Sequence, residues 1–216
     1  MNENFPPNFG LPFHPQLQRG RDYTRQRNYT ITDLLLENRI VFLGTLGNQI
    51  YYPEINDVLA NATIQQLLLL QYENKNQEIH FYINSPGGQV TSTLAIYDTM
   101  KFMECPISTY CVGAAYSGAA ILLTAGTKGK RYALPHSRIM LHQPQSYVGG
   151  QATDVEIQMN EIIGLRDSLN SILSESTGRS IEEIERETER DRYFTAEQAK
   201  EFGLIDEVLS RPVESK

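Results

Sequence analysis

Two patterns of apolar residues take turns along this chain. Short runs of apolar and β-branched residues read as buried strands, and stretches with apolar positions three and four apart read as helices with one inward face. Arg39 to Gly44 (RIVFLG) is predicted as a strand, after a short helix through Glu37 that Thr32 and Asp33 can cap. Val58 to Tyr72 is predicted as a helix, with Leu59, Ile64, Leu67, Leu68 and Leu70 at helical spacing. Glu78 to Ile83 is strand-like, Asn84 to Gly88 (NSPGG) a turn, and Thr91 to Met103 a helix. Ser108 to Val112 is a strand that meets a small-residue turn at Gly113, Ala114 and Ala115; Ser117 follows, then an apolar helix to Ala125. Tyr132 to Leu134 and Arg138 to Leu141 are short strands split by Pro135, and Gly149 and Gly150 mark an irregular extended segment. Thr153 to Ser176 is a long amphipathic helix. Ile181 to Glu189 and Ala196 to Phe202 are two more, the second ending at Gly203, and Ile205 to Leu209 is a last strand. Strands alternating with helices predict an α/β domain with a mostly parallel sheet.

Residues 1–28 break this rhythm. Pro6, Pro7, Pro12 and Pro15 interrupt any element, Phe5, Phe9 and Phe13 stand alone, and Arg19, Arg21, Arg25 and Arg27 add local positive charge. They read as a flexible head, either a pro-segment or a gate, ahead of a single domain over 29–216. A length of 216 residues suffices for that domain's core. The net charge of −7 disfavours nucleic acid as a partner. No apolar run is long enough to span a membrane, and no apolar segment near the start resembles a secretory signal. Cys105 and Cys111 lack metal-ligand spacing and read as reduced thiols. A cytoplasmic location, or one inside an organelle, is expected.

The chemistry gathers around Ser117. A serine between a strand and a helix sits at the positive end of the helix dipole, beside free backbone N–H groups. That setting suits an acyl-transfer nucleophile, although the flanking residues do not form a G-x-S-x-G elbow, and a plain packing turn would read the same. The serine needs a base. His14 lies in the head, His80 alternates within a strand and His136 sits in a turn beside Pro135. His142 ends an apolar strand, where sites of parallel sheets collect, and is the best candidate. The N–H groups of Gly118 and of Gly88, in a Gly-Gly turn opening a helix, are candidates for an oxyanion cradle. Pattern leaves the third member open among Asp98, Asp154, Asp167, Asp191 and Asp206.

Six segments resemble the proteolytic subunit of the Clp protease family, in its order and spacing: YINSPGG (Tyr82 to Gly88), IYDTM (Ile96 to Met100), LLTAGTKGKRYALP (Leu122 to Pro135), HQP (His142 to Pro144), GQATD (Gly150 to Asp154) and ETERDRYFTAEQAKEFGLID (Glu187 to Asp206). The resemblance covers about residues 29–210. It implies a serine endopeptidase with Ser117 as nucleophile, His142 as base, Asp191 as orienting acid and an oxyanion hole from Gly88 and Gly118. It implies a crotonase-like spiral of βαβ units with a long protruding helix. It also implies stacked seven-membered rings, 14 subunits in all, closed around a chamber for unfolded polypeptides. The long helix from Thr153 would lie at the ring contact, with Glu189 and Arg190 coupling that contact to the triad, and Ser146 to Gln151 would hold substrate as an added strand. The partner would be an AAA+ unfoldase of the ClpX, ClpA or ClpC type. The chain has no P-loop, so ATP is not its own cofactor, and no cofactor or metal is expected.

The chain also departs from that pattern. The family usually reads A-S-M-G-A where this sequence has Tyr116-Ser117-Gly118-Ala119-Ala120, so a looser oxyanion cradle is expected. The 45–57 segment is longer than the family's, and the head is unlike its usual gate. These features fit a divergent paralogue that shares rings with a second subunit type, and they keep open a weakly active or inactive structural subunit. A crotonase-type enzyme acting on a coenzyme A thioester would share the fold but has no need of the Ser-His-Asp set.

Overall fold

The computed structural model describes residues 30–44 and 54–210. The head and most of the 45–57 segment, with His14 and the four head arginines, lie outside the described residues. Helix α1 (Ile31–Glu37) leads into β1 (Ile40–Leu43), then α2 (Asp57–Glu73), β2 (Ile79–Ser85) and α3 (Val90–Phe102). β3 (Ile107–Tyr116) and α4 (Gly118–Thr124) form the centre, followed by β4 (Arg131–Ala133) and β5 (Arg138–Leu141). The chain ends with α5 (Ala152–Thr177), α6 (Ile181–Thr188), β6 (Arg192–Thr195), α7 (Ala196–Phe202) and β7 (Glu207–Val208).

The sheet runs β1-β2-β3-β4-β7, every pair parallel, as the alternation of elements predicts. Leu43, Ile79, Phe81, Ile83 and Cys111 are fully buried, and Leu67, Leu70, Ile96 and Leu122 close over them from the helices. α2 turns Ala60, Thr63, Leu67 and Leu70 inward; Leu68, on the predicted apolar side, is 46% exposed. α5 buries only Asn170 and Leu173, near its end, and leaves Ile157, Met159 and Ile163 exposed in its first half.

Four expectations need correction. The first helix is capped by Thr30, not Thr32: Asp33 N–H donates to Thr30 Oγ1 at 3.2 Å, and Thr30 N–H donates back to the Asp33 carboxylate at 2.8 Å. Asn84 and Ser85 belong to β2 rather than to a turn. Gly113, Ala114 and Ala115 are not a turn either, because β3 runs unbroken to Tyr116. The register between β2 and β3 shifts between Ile83 and Ser85, and Asn84 fills the irregularity by accepting from Ala114 N–H at 3.1 Å. A Cβ on Gly113 would stand 2.6 Å from Asn84 Oδ1, which is why a glycine sits there. Finally, pattern reading missed β6, the four residues after Asp191. It pairs antiparallel with β5, from Arg138↔Thr195 to Leu141↔Arg192.

Candidate active site

β5 does not continue the main sheet. It pairs with the far end of β3, from Ala114↔Arg138 to Tyr116↔Met140, and β6 pairs with β5 in turn. One side chain follows from each strand. Ser117 comes after the last residue of β3, His142 after the last of β5, and Asp191 just before the first of β6.

The serine makes the sharp reversal that the sequence assigned to its neighbours. Ser117 has φ 52° and ψ −124°, a strained conformation for a residue with a side chain. Its N–H donates to Met140 O at 2.9 Å, which ties the elbow to β5, and its carbonyl accepts from Ala120 N–H at 2.9 Å to start α4. The hydroxyl is therefore held out at the head of a helix although no G-x-S-x-G motif is present. His142 Nε2 lies 2.8 Å from Ser117 Oγ, and His142 Nδ1 lies 3.1 Å from Asp191 Oδ1. Of the five aspartates left open by pattern, Asp191 alone meets His142. Asp206 pairs with Arg131, Asp167 with Arg166, and Asp98 and Asp154 are exposed. His136 is exposed as well. His80 is held below its ordinary titration range by burial, and its Nδ1 lies 3.0 Å from the Tyr110 hydroxyl.

Two glycines bring backbone N–H groups to the pocket of the serine. Gly118 is the first residue of α4, so its N–H has no partner within the helix. Gly88 sits in a bridge with Ile55, in which Ile55 N–H donates to Gly87 O and Gln89 N–H donates to Ile55 O, both at 2.7 Å. The alternation of an extended chain then turns the Gly88 N–H away from Ile55. Gly88 and Gly118 line one pocket with Ser117, His142, Ile121 and Leu141. Gly87 has φ 91°, and a Cβ there would stand 2.6 Å from Tyr116 O and 2.8 Å from Ser117 Cβ, so only glycine lets this loop lie against the elbow. Gly118, where a looser cradle is expected, is closely packed. The space its Cβ would take is filled by Thr93, whose Cγ2 would be 3.1 Å away and whose Oγ1 closer still. Burial raises the Cys111 titration range despite weaker opposing hydrogen bonds from Gly113 and Ser137, so Cys111 does not rival the serine as a nucleophile.

The Clp protease family profile matches residues 23–212. The chain belongs to the Clp protease family. It is 53% identical over 189 residues to the "ATP-dependent Clp protease proteolytic subunit 1" of Rhodopirellula baltica, an alignment covering 88% of this chain and 80% of that protein. Its role in the family is that of a proteolytic subunit, and the α/β architecture of a mostly parallel sheet with seven helices among the described residues agrees with membership. Membership also replaces the crotonase-type reading. No group of three or more His, Cys, Asp or Glu side chains suited to a metal occurs among the described residues, and no helix there is long and apolar enough to cross a membrane.

Proposed function

We propose that the chain is a serine-type endopeptidase in which Ser117 is the nucleophile, His142 the base and Asp191 the group that orients it. The observation that carries the reading is the continuous link from Ser117 Oγ to His142 Nε2 at 2.8 Å and from His142 Nδ1 to Asp191 at 3.1 Å. In this reading His142 takes the hydroxyl proton as Ser117 Oγ attacks the scissile carbonyl. The carbonyl oxygen becomes an oxyanion and accepts from the N–H groups of Gly88 and Gly118. His142 then hands the proton to the departing amine, leaving an acyl group on Ser117. Water, deprotonated by the same imidazole, clears that ester. Asp191 keeps the Nδ1–H directed at itself, so that Nε2 is free to accept.

The finer organisation belongs to the same proposal. Residues 29–216 form one peptidase domain, with 1–28 as a gate or pro-segment. Fourteen subunits stack as two rings, and an AAA+ unfoldase of the family feeds them unfolded polypeptide in the cytoplasm. The exposed Ile157, Met159 and Ile163 on α5 support a ring contact there, and in this reading Ser146 to Gln151 holds substrate as an added strand. The convergence of all three side chains counts against an inactive scaffold. The deciding experiment is Ser117→Ala in the assembled protein. Peptide turnover is expected to drop to background, a kcat loss on the order of 10⁶-fold, with native mass unchanged and fluorophosphonate labelling abolished. Turnover equal to that of the unaltered chain sinks the assignment.

A further inference from the structure

Tyr116 immediately precedes Ser117, and Tyr193 lies two residues beyond Asp191. Between them runs β5, whose Met140 is the register partner of both tyrosines. The three residues therefore form one row across three strands, on one face of this part of the sheet. The neighbouring row, Ala115, Ile139 and Phe194, is buried in the core. The rings of Tyr116 and Tyr193 meet over the strand between them. Their centroids are 5.7 Å apart and their planes 86° apart, an edge-to-face pair. β3 and β6 are not hydrogen-bonded neighbours, so this contact reaches across β5 between strands that the backbone ladder does not join directly.

Before the aspartate the chain is tied to the segment after His142, where Gln143 N–H donates to Thr188 O at 2.7 Å and Gln143 Nε2 donates to Glu189 O at 3.1 Å; beyond it the tyrosine pair would add the second hold. The aspartate's carboxylate is half exposed, and Glu189 and Arg190 before it are exposed. β6 is four residues long and pairs only with β5. A β6 that slid or tilted on β5 would move Asp191 relative to a serine fixed on β3. The alanine usual in the family at position 116 has no ring with which to oppose this.

We infer that Tyr116 and Tyr193 form a brace that positions Asp191 against the Ser117 elbow. This rests on the peptidase reading above. Both are positioning residues: they touch neither the reacting atoms nor the imidazole and act through the strand carrying the aspartate. The ring performs this work, so phenylalanine should serve at either position and alanine should not.

The test is made on the assembled full chain with a fluorogenic peptide and with the rate of Ser117 labelling by a fluorophosphonate. Tyr193→Ala, a change at a half-exposed position, is expected to lower kcat by about twofold to tenfold, with KM and native mass unchanged. Tyr193→Phe restores kcat. Tyr116→Ala gives a similar loss, and the double variant is no worse than either single one. In an Asp191→Asn background, Tyr193→Ala produces no further fall in labelling rate, because the group being positioned has already lost its role. Tyr116→Leu, which keeps apolar bulk without the ring, covers the event that Tyr116→Ala fails to assemble; it too should lose kcat. The brace is overturned by an equal proportional loss in the Asp191→Asn background, by a loss confined to KM, by failure of phenylalanine to restore, or by a Tyr193→Ala enzyme as fast as the unaltered one. If the unaltered chain shows no Ser117-dependent labelling, the peptidase reading itself fails and the brace falls with it.

Discussion

Two aspartates near the ends of this sheet live in opposite circumstances. Asp206 accepts from Arg131 Nη2 at 2.6 Å, Arg131 Nε at 2.9 Å, Gly129 N–H at 2.8 Å and Arg131 N–H at 3.0 Å, and the arginine opposite it is buried. Asp191 meets His142 at 3.1 Å and is half exposed. The first locks β4 and the turn before β7 within a parallel sheet whose interior is closed. The second stands on an antiparallel annex hung from the last three residues of β3. The contrast separates two tasks. The sheet holds its shape through burial and dense hydrogen bonding, and the annex carries His142 and Asp191 at its margin, the two groups that the proposed mechanism uses beside Ser117.

The comparison breaks most clearly if a change in the annex unfolds the protein. Asp191→Asn should leave melting temperature and native mass unaltered while kcat falls by about 10⁴-fold, because the imidazole loses the acceptor that holds its tautomer. A large loss of stability in that variant would mean that Asp191 is structural like Asp206.

Next in size is Gly88→Ala. A Cβ there would come within 2.5 Å of the Ile55 amide nitrogen and closer to its carbonyl oxygen, so the loop carrying the Gly88 N–H must move. Displacing one oxyanion donor costs about 10²–10³ in kcat. A peptide substrate and active-site titration check this together, since titration separates slow sites from missing ones.

The sheet side is probed by Arg131→Met, which strands the Asp206 carboxylate among its remaining partners. Removing the charged donor of this partly buried pair costs about 1.5–3 kcal/mol, readable by urea unfolding, and kcat per folded site should stay within twofold. The pH dependence has a defined sign. Burial alone would raise the Asp206 titration range, but the hydrogen bonds and charge of Arg131, with the Gly129 N–H, outweigh it and hold the carboxyl below its ordinary 3.8. A depressed folded value means that the stabilisation is complete above about pH 4 and is lost as pH falls through the lowered range. Asp206→Asn should flatten that acid limb; an unchanged limb assigns acid unfolding to other carboxylates.

Much of this contrast could be read along the sequence. The parallel sheet followed from strands such as Arg39 to Gly44 and Glu78 to Ile83 alternating with helices, because a strand, a crossover helix and the next strand pack as a parallel pair. Ser117 was legible because it stands between a strand and the head of an apolar helix, and His142 because it closes an apolar strand, where side chains emerge from the core. β6 was not. Its residues, RYFT, mix one buried ring with one exposed ring and two half-buried polar positions, and its pairing with β5 is a long-range event that leaves no local period. Without β6 the five aspartates looked alike, and only the family resemblance singled out Asp191. The sharp turn was placed too early, at Gly113 to Ala115, because small residues signal turns. Here their smallness instead admits Asn84 at the irregular register of β2 and β3.

The smallest effect tests the joint between the two regions. Thr195 ends β6 and caps α7, the helix that buries Ala196, Ala199 and Phe202 in the core. Its hydroxyl accepts from Gln198 N–H at 3.2 Å, and Gln198 Oε1 accepts from Thr195 N–H at 2.9 Å. Thr195→Ala removes the first bond and leaves the second, so the expected loss is about 1 kcal/mol, or roughly 2–4 °C in melting temperature for a domain of this size. The Gln198 amide should exchange faster with solvent. Activity should not follow, because Thr195 is at the far end of β6 from Asp191: Thr195 pairs with Arg138, whereas the aspartate lies beyond the Leu141↔Arg192 pair. If kcat falls in step with stability, the annex and the core are one cooperative unit and the division of tasks argued from Asp191 and Asp206 is wrong. If stability alone falls, the short strand that presents the aspartate is insulated from its own anchor by three residues of ladder.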